Sequence, residues 1–166
     1  HRDIKPANIM LDVQGQAILM DFGIVKIIGG DSHTSTGAVV GTASYMPPET
    51  IRGETADHRS DIYSLGVTLF EMLSGRPPFV ADSAMTLMMM HVNNPVPDVR
   101  NFRPDVHPEV AATLERCLAK NREERYQSAG ELSAHLKRVI ETIEAQPTAL
   151  VKPGPPMQQN AQAVGS

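Results

Sequence analysis

Tryptophan is absent from the 166 residues, cysteine occurs once, and aromatic side chains make up only 4%. The single thiol, Cys117, excludes an internal disulfide framework and fits a reducing compartment. With so few rings, the core must be assembled mainly from Leu, Ile, Val, Met and Ala. There is no basic excess: 15 Lys and Arg against 19 Asp and Glu leave a formal charge of −4 at pH 7. That balance argues against a nucleic-acid binder, which needs a basic face for phosphates. No apolar run approaches the roughly 20 residues of a membrane helix; the best, around Leu65–Leu73, is cut by Glu71. Initiator methionine, signal peptide and internal repeat are all missing. A chain that opens on His1-Arg2-Asp3 reads as the downstream piece of something longer.

What is present is the composition of a soluble globular domain, 41% hydrophobic and 20% charged. Two short apolar runs, Ile9-Met10-Leu11 and Ala17-Ile18-Leu19-Met20, flank the turn-forming Asp12-Val13-Gln14-Gly15 and predict a β-hairpin. Residues 24–50 are rich in Gly, Ser and Thr and read as a long functional loop. Helical patterns follow. Ser60 is placed to cap a buried helix over Asp61–Ser74, ended by Gly75. A shorter helix is expected over 83–92, and Pro108 opens another through Lys120. Ser128-x-x-Glu131 is a capping box for a last helix to about Glu144. From Gln146 onward the sequence turns to Pro, Gln, Ala and Gly without periodicity. The expected organisation is therefore a folded unit over 1–145 and a flexible tail or linker over 146–166.

The hairpin gathers chemistry at one end. Asn8 lies just before its first strand and Asp21 just after its second, so antiparallel pairing brings both to the open end. Asp3 and Lys5 sit in the loop that feeds it. Oxygen ligands from Asn8 and Asp21 suit a hard cation such as Mg²⁺, which takes one or two carboxylates plus phosphates. Lys5 offers charge for a transferring phosphoryl group, and Asp3 can orient a hydroxyl and accept its proton. The bland alternative is a solvated loop of turn-forming Asx residues. The five histidines after His1 lack metal-ligand spacing. Cys117 reads as a small core residue, and Met88-Met89-Met90 as core filling with some exposed docking surface.

These residues resemble the protein kinase family. His1-Arg2-Asp3-Ile4-Lys5-Pro6-Ala7-Asn8 is similar to its catalytic loop, and Asp21-Phe22-Gly23 to its metal-binding motif. Gly41-Thr42-Ala43-Ser44-Tyr45-Met46-Pro47-Pro48-Glu49 resembles the end of a kinase activation segment. Asp61-Ile62-Tyr63-Ser64-Leu65-Gly66 resembles the start of the central helix of the larger lobe, and Asn121–Tyr126 the segment whose Arg pairs with the closing Glu. The resemblance covers about residues 1–144. It implies a kinase-like α+β fold, here mainly the α-helical C-lobe with a small catalytic β-hairpin and no N-lobe. It implies Asp3 as catalytic base, Lys5 at the γ-phosphate, and Asn8 and Asp21 holding the Mg²⁺ (or Mn²⁺) that bridges the phosphates of ATP. Lys5 leans toward Ser/Thr over Tyr specificity. Thr42 is implied to contact the base and the substrate-docking loop, Asp61 to hold the backbone of the catalytic loop, and Glu49 and Arg125 to form a structural ion pair.

Regulation is implied in the same way. Arg2 beside the catalytic Asp marks kinases switched on by activation-loop phosphorylation, since a phosphate brings about −1.5 to −2 charge that an Arg can pair with. Thr34 and Thr36 are the expected phosphosites. Their surroundings, Thr34-x-Thr36-x-x-Val39-Val40-Gly41-Thr42, resemble the loop of bacterial receptor-type (PknB-like) Ser/Thr kinases. In that group the kinase domain is cytoplasmic, partners are Ser- or Thr-bearing proteins, and a homodimer phosphorylates itself in trans. The Gly-rich loop, strand Lys and helix Glu of the family do not occur in the 166 residues, so the chain alone is expected to be inactive. A pseudokinase or regulatory scaffold without turnover is the alternative. A small-molecule phosphotransferase of kinase-like fold is a second one, less in keeping with the Pro-Glu end of the activation segment.

Overall fold

A buried 17-residue helix organises the protein. The computed structural model describes residues 1–21, 41 and 43–145, and contains a hairpin, β1 (Ile9–Leu11) and β2 (Ala17–Leu19), and five α-helices. These are α1 (Pro48–Ile51), α2 (His58–Ser74), α3 (Ala84–Asn93), α4 (Pro108–Cys117) and α5 (Ala129–Ala145), with single 3-10 turns at Pro6–Asn8, Val99–Asn101 and Arg122–Glu124. The fold is thus mostly helical with one two-stranded antiparallel sheet, the architecture of a kinase C-lobe.

α2 is buried on most of its circumference because its sequence is apolar almost all round. Tyr63, Val67 and Phe70 pack with Val99, Leu114 and Leu118 in one cluster. Ile62 joins Cys117, Tyr126 and Leu132 in a second, and Ala43, Phe79 and Leu87 form a third beneath α3. α2 and α4 are in close contact at Gly66, where a Cβ would stand 2.7 Å from Cys117 Cβ. Any larger residue there forces the helices apart. The Cys117 thiol is accordingly a core group, and burial pushes its pKa up to about 12.

Several boundaries differ from the sequence expectation. α2 begins at His58, not Asp61, because the Asp57 carboxylate accepts from the Arg59 amide at 2.8 Å and takes the cap. Ser60 lies inside the first turn with its hydroxyl used elsewhere. The helix ends as expected at Gly75, left-handed at φ 76°. α4 stops at Cys117 and not at Lys120, since the carbonyls of Ala119 and Lys120 turn to the Arg125 guanidinium. Residues 48–51, at the end of the 24–50 stretch read as a long loop and one residue beyond it, form the short α1 with Pro at its first position. The capping box at α5 is present in modified form: Ser128 Oγ accepts from the Glu131 amide at 3.0 Å, while Glu131 Oε2 reaches the Gln127 amide at 2.7 Å.

The hairpin pairs Ile9 with Leu19, Met10 with Ile18 and Leu11 with Ala17. Its turn is fixed by Asp12 Oδ1, which accepts from the amides of Gln14 and Gln16, and by Gly15 at φ 78°. The second strand is one residue shorter than expected and ends at Leu19. The tail over 146–166 lies outside the described residues.

Candidate active site

The catalytic-looking residues converge through short-range geometry. The 3-10 turn Pro6–Asn8 brings Asn8 back toward Asp3, and Asn8 is buried. Its side-chain nitrogen donates to Asp3 O at 2.7 Å and to Asp3 Oδ2 at 2.9 Å. Two acceptors require the NH₂ end of the amide, so the carbonyl end of Asn8 is the one left for other ligands. Lys5 Nζ meets Asp3 Oδ2 at 2.9 Å. One carboxylate oxygen therefore receives both the amide and the ammonium.

The hairpin supplies the remaining alignment. Met20 N donates to Asn8 O at 2.8 Å, extending the strand ladder to the residues that flank it and placing Asp21 next to the residue paired with Asn8. His1 Nε2 lies 2.9 Å from Met20 O and ties the loop to the same point. Asp21 and Arg2 are the two described non-glycine residues in the left-handed region, at φ 51° and 68°. Such backbone costs roughly 1–3 kcal/mol and persists only where its surroundings hold it. For Arg2 the holding group is Asp61, whose Oδ1 accepts from the Arg2 amide at 2.8 Å while Oδ2 accepts from the His1 backbone nitrogen at 2.7 Å.

A second polar centre is built around Arg125. Arg125 is fully buried and uses all five of its N–H groups: two on Glu49 at 2.8 Å each, and one each on Arg59 O, Ala119 O and Lys120 O. Glu49 also accepts from Ser60 Oγ at 2.7 Å. Burial by itself would raise the Glu49 pKa, but the hydrogen bonds from Arg125 and Ser60 outweigh it and hold the carboxyl below its usual range. Glu49 and Arg125 stand 76 residues apart in sequence and meet as a bidentate pair.

The fit to a divalent cation rests on donor chemistry. Asn8 and Asp21 offer one amide oxygen and one carboxylate at one end of the hairpin. Among the described residues, no three His, Cys, Asp or Glu side chains gather into an all-protein metal cage. One amide oxygen and one carboxylate would suit a magnesium ion whose other positions are filled by phosphate oxygens and water. Phe22, Gly23, Thr34, Thr36 and Thr42 lie outside the described residues.

Comparison with known proteins decides the family. Residues 1–136 match the family model described as the protein kinase domain. The chain belongs to the protein kinase family. It is 50% identical over 144 residues to the serine/threonine-protein kinase PknB of Mycolicibacterium smegmatis, covering 85% of this chain and 23% of that protein. It is 46% identical over 142 residues to PknB of Mycobacterium tuberculosis, covering 84% and 22%. A probable serine/threonine-protein kinase of Streptomyces coelicolor is 44% identical over 143 residues, covering 85% and 21%. The kinase chain thus spans less than a quarter of the length of these relatives. No helix of its described residues is long and apolar enough to cross a membrane.

Sequence reasoning missed one set of side chains. Ser60 was assigned to a helix cap and Ser64 and Tyr45 were given no role, yet Ser60 holds Glu49, Ser64 Oγ donates to Tyr45 O at 2.8 Å, and Tyr45 OH donates to Glu71 Oε2 at 2.5 Å. The available signal was the row of hydroxyls Ser60, Ser64 and Thr68, four residues apart along α2.

Proposed function

We propose that this chain supplies the catalytic loop and metal-holding residues of a serine/threonine protein kinase that transfers the ATP γ-phosphoryl group to protein hydroxyls. The supporting observation is the single Asp3 oxygen that receives both Lys5 and Asn8, on a loop whose backbone is held by Asp61. In this reading Asp3 orients the substrate hydroxyl and accepts its proton. Lys5, already drawn to Asp3, stands ready to balance negative charge on the transferring group. Asn8 and Asp21 hold Mg²⁺, which when bound with ATP neutralises the phosphate oxygens. Proteins bearing Ser or Thr are the substrates, and the kinase domain works in the cytoplasm.

The same reading makes Thr34 and Thr36 autophosphorylation sites, with Arg2 as the cation that receives a phosphate and a second copy of the kinase as the enzyme acting in trans. It requires a Gly-rich loop, a strand Lys and a helix Glu that the 166 residues do not contain, so the chain by itself is inactive. The test incubates the full-length protein and its Asp3→Asn variant with Mg-ATP and a generic protein substrate. Phosphate on Thr34 and Thr36 of the parent, and none on the variant, is the expected result. Absence of transfer by either would replace the kinase reading with that of a partner-binding scaffold.

A further inference from the structure

Lys120, just beyond α4, is used in a way that the candidate active site does not require. Its Nζ donates to the His91 carbonyl at 2.8 Å and stands 4.6 Å from the centroid of the Phe79 ring. His91 lies in the last turn of α3, where the four final carbonyls have no partner within the helix. The Met90 carbonyl takes the Asn94 amide. The ammonium takes the next carbonyl and faces the negative end of the helix dipole. Lys120 thereby clamps the end of α3 to the end of α4.

The clamp is made from an ill-matched group. Among the described residues Lys120 has no carboxylate within ion-pair distance, whereas Lys5 is paired with Asp3. The carbonyl of Lys120 receives the Arg125 guanidinium at 3.3 Å, so a fixed positive charge is close by. Burial first, and then the Arg125 and Arg52 charges, push its pKa down from 10.5 to about 8. Lys120 also lines an open groove of about 490 Å³, within the roughly 300–1,000 Å³ of small-molecule sites. The groove walls include Pro95, Val96 and Leu118, and its other charged residues are Glu115, Arg116 and Glu124. A desolvated lysine beside other cations is the setting in which an amine acts as a nucleophile.

We infer that Lys120 is an acylation site, open through this groove to a small acyl phosphate, and that its acylation releases the last turn of α3. The Nζ lone pair attacks the acyl carbon and forms the amide N–C bond. The C–O bond to phosphate breaks, inorganic phosphate leaves with the electron pair, and the surplus amine proton passes to it. The product amide carries no charge, so the attraction to the Phe79 ring and to the α3 dipole is lost. None of these steps depends on phosphoryl transfer by the protein.

The test treats the full-length protein with acetyl phosphate near pH 8 and follows acetyl groups on Lys120 and on Lys137, exposed on α5, by peptide mass spectrometry. At that pH about half of Lys120 is free amine, roughly 150 times the share at a pKa of 10.5. A less basic amine is a weaker nucleophile, by roughly half the pKa difference on a logarithmic scale if it follows thiols. Lys120 should therefore react about tenfold faster than Lys137. In urea the advantage should vanish, because it comes from the fold and not from neighbouring sequence. Lys120→Gln, with a neutral amide in place of the ammonium, should raise hydrogen exchange about fivefold at amides 90–94 and leave α5 unchanged. Acetylation of Lys120 no faster than of Lys137, or a preference that survives in urea, would overturn the site. Unchanged exchange at 90–94 would overturn the release. If Lys120→Gln does not fold, the same exchange measurement on the parent before and after acetylation decides it.

Discussion

Replacing Arg125 by methionine removes one charge and five donors while keeping a side chain of similar length in a fully buried position. The Glu49 carboxylate, 2% exposed, would keep the Ser60 hydroxyl as its side-chain partner and lose both guanidinium bonds. Carbonyls of Arg59, Ala119 and Lys120 would lose a donor at the same time. Breaking one side of a buried pair costs about 3–5 kcal/mol, against a total stability of about 5–15 kcal/mol for a domain. Urea unfolding of the purified protein should show that loss, and the melting temperature should fall by roughly 10 °C. The charge argument has a sharper consequence in the double variant Glu49→Leu with Arg125→Met. Removing both charges eliminates the stranded carboxylate, so the double variant should be more stable than Arg125→Met alone. A single variant within about 1 kcal/mol of the parent, or a double variant as unstable as the sum of its parts, would refute the reasoning.

Gly66→Ala tests the contact between α2 and α4: with its Cβ 2.7 Å from Cys117 Cβ, the helices must shift, and a loss of about 1–3 kcal/mol in denaturant unfolding is expected in spite of alanine's better helix propensity. His91 gives a pH dependence. It is fully buried, contacts Tyr63 OH at 2.8 Å and the edge of Phe79, and burial lowers its pKa from 6.5 to about 4, with the Lys120 charge adding to the effect. Between those values the unfolded chain binds a proton that the folded chain refuses, so stability is complete above pH 6.5 and falls as the pH drops toward 4. From pH 7 to pH 5 the loss is about 2 kcal/mol, read as a shift in urea midpoint, and His91→Gln should flatten the slope over that window.

The legible parts of this fold are those set by neighbours in sequence. Asp12-Val13-Gln14-Gly15 between two apolar runs gave the hairpin because its hydrogen bonds span at most four residues. Pro108 and Ser128-x-x-Glu131 marked two helix starts for the same reason. Asp57 and Ser60 are both competent caps by residue type, and local pattern does not choose between them. The choice is made by Glu49, eleven residues earlier, which takes the Ser60 hydroxyl. The end of α4 was likewise misjudged because Arg125 draws off the carbonyls of Ala119 and Lys120, an effect with no trace in helix periodicity.

The same division runs through the candidate site. Asp3, Lys5 and Asn8 lie within six residues, so loop geometry alone can assemble them, and the hairpin register extends that assembly to Asp21. Asp61 and Arg125 belong to the other class: their residue types are common, and nothing local tells an Asp in a helix's first turn that its partner is an amide 59 residues away. Their partners came into view through the family resemblance, not through spacing. Ser60 and Ser64 had neither aid, because a serine in a helix interior has a ready local acceptor in the i−4 carbonyl. Ser64 does lie 3.2 Å from Ser60 O, yet its shorter bond, at 2.8 Å, goes to Tyr45 O. That preference for the distant acceptor ties the buried helix to the segment at its side.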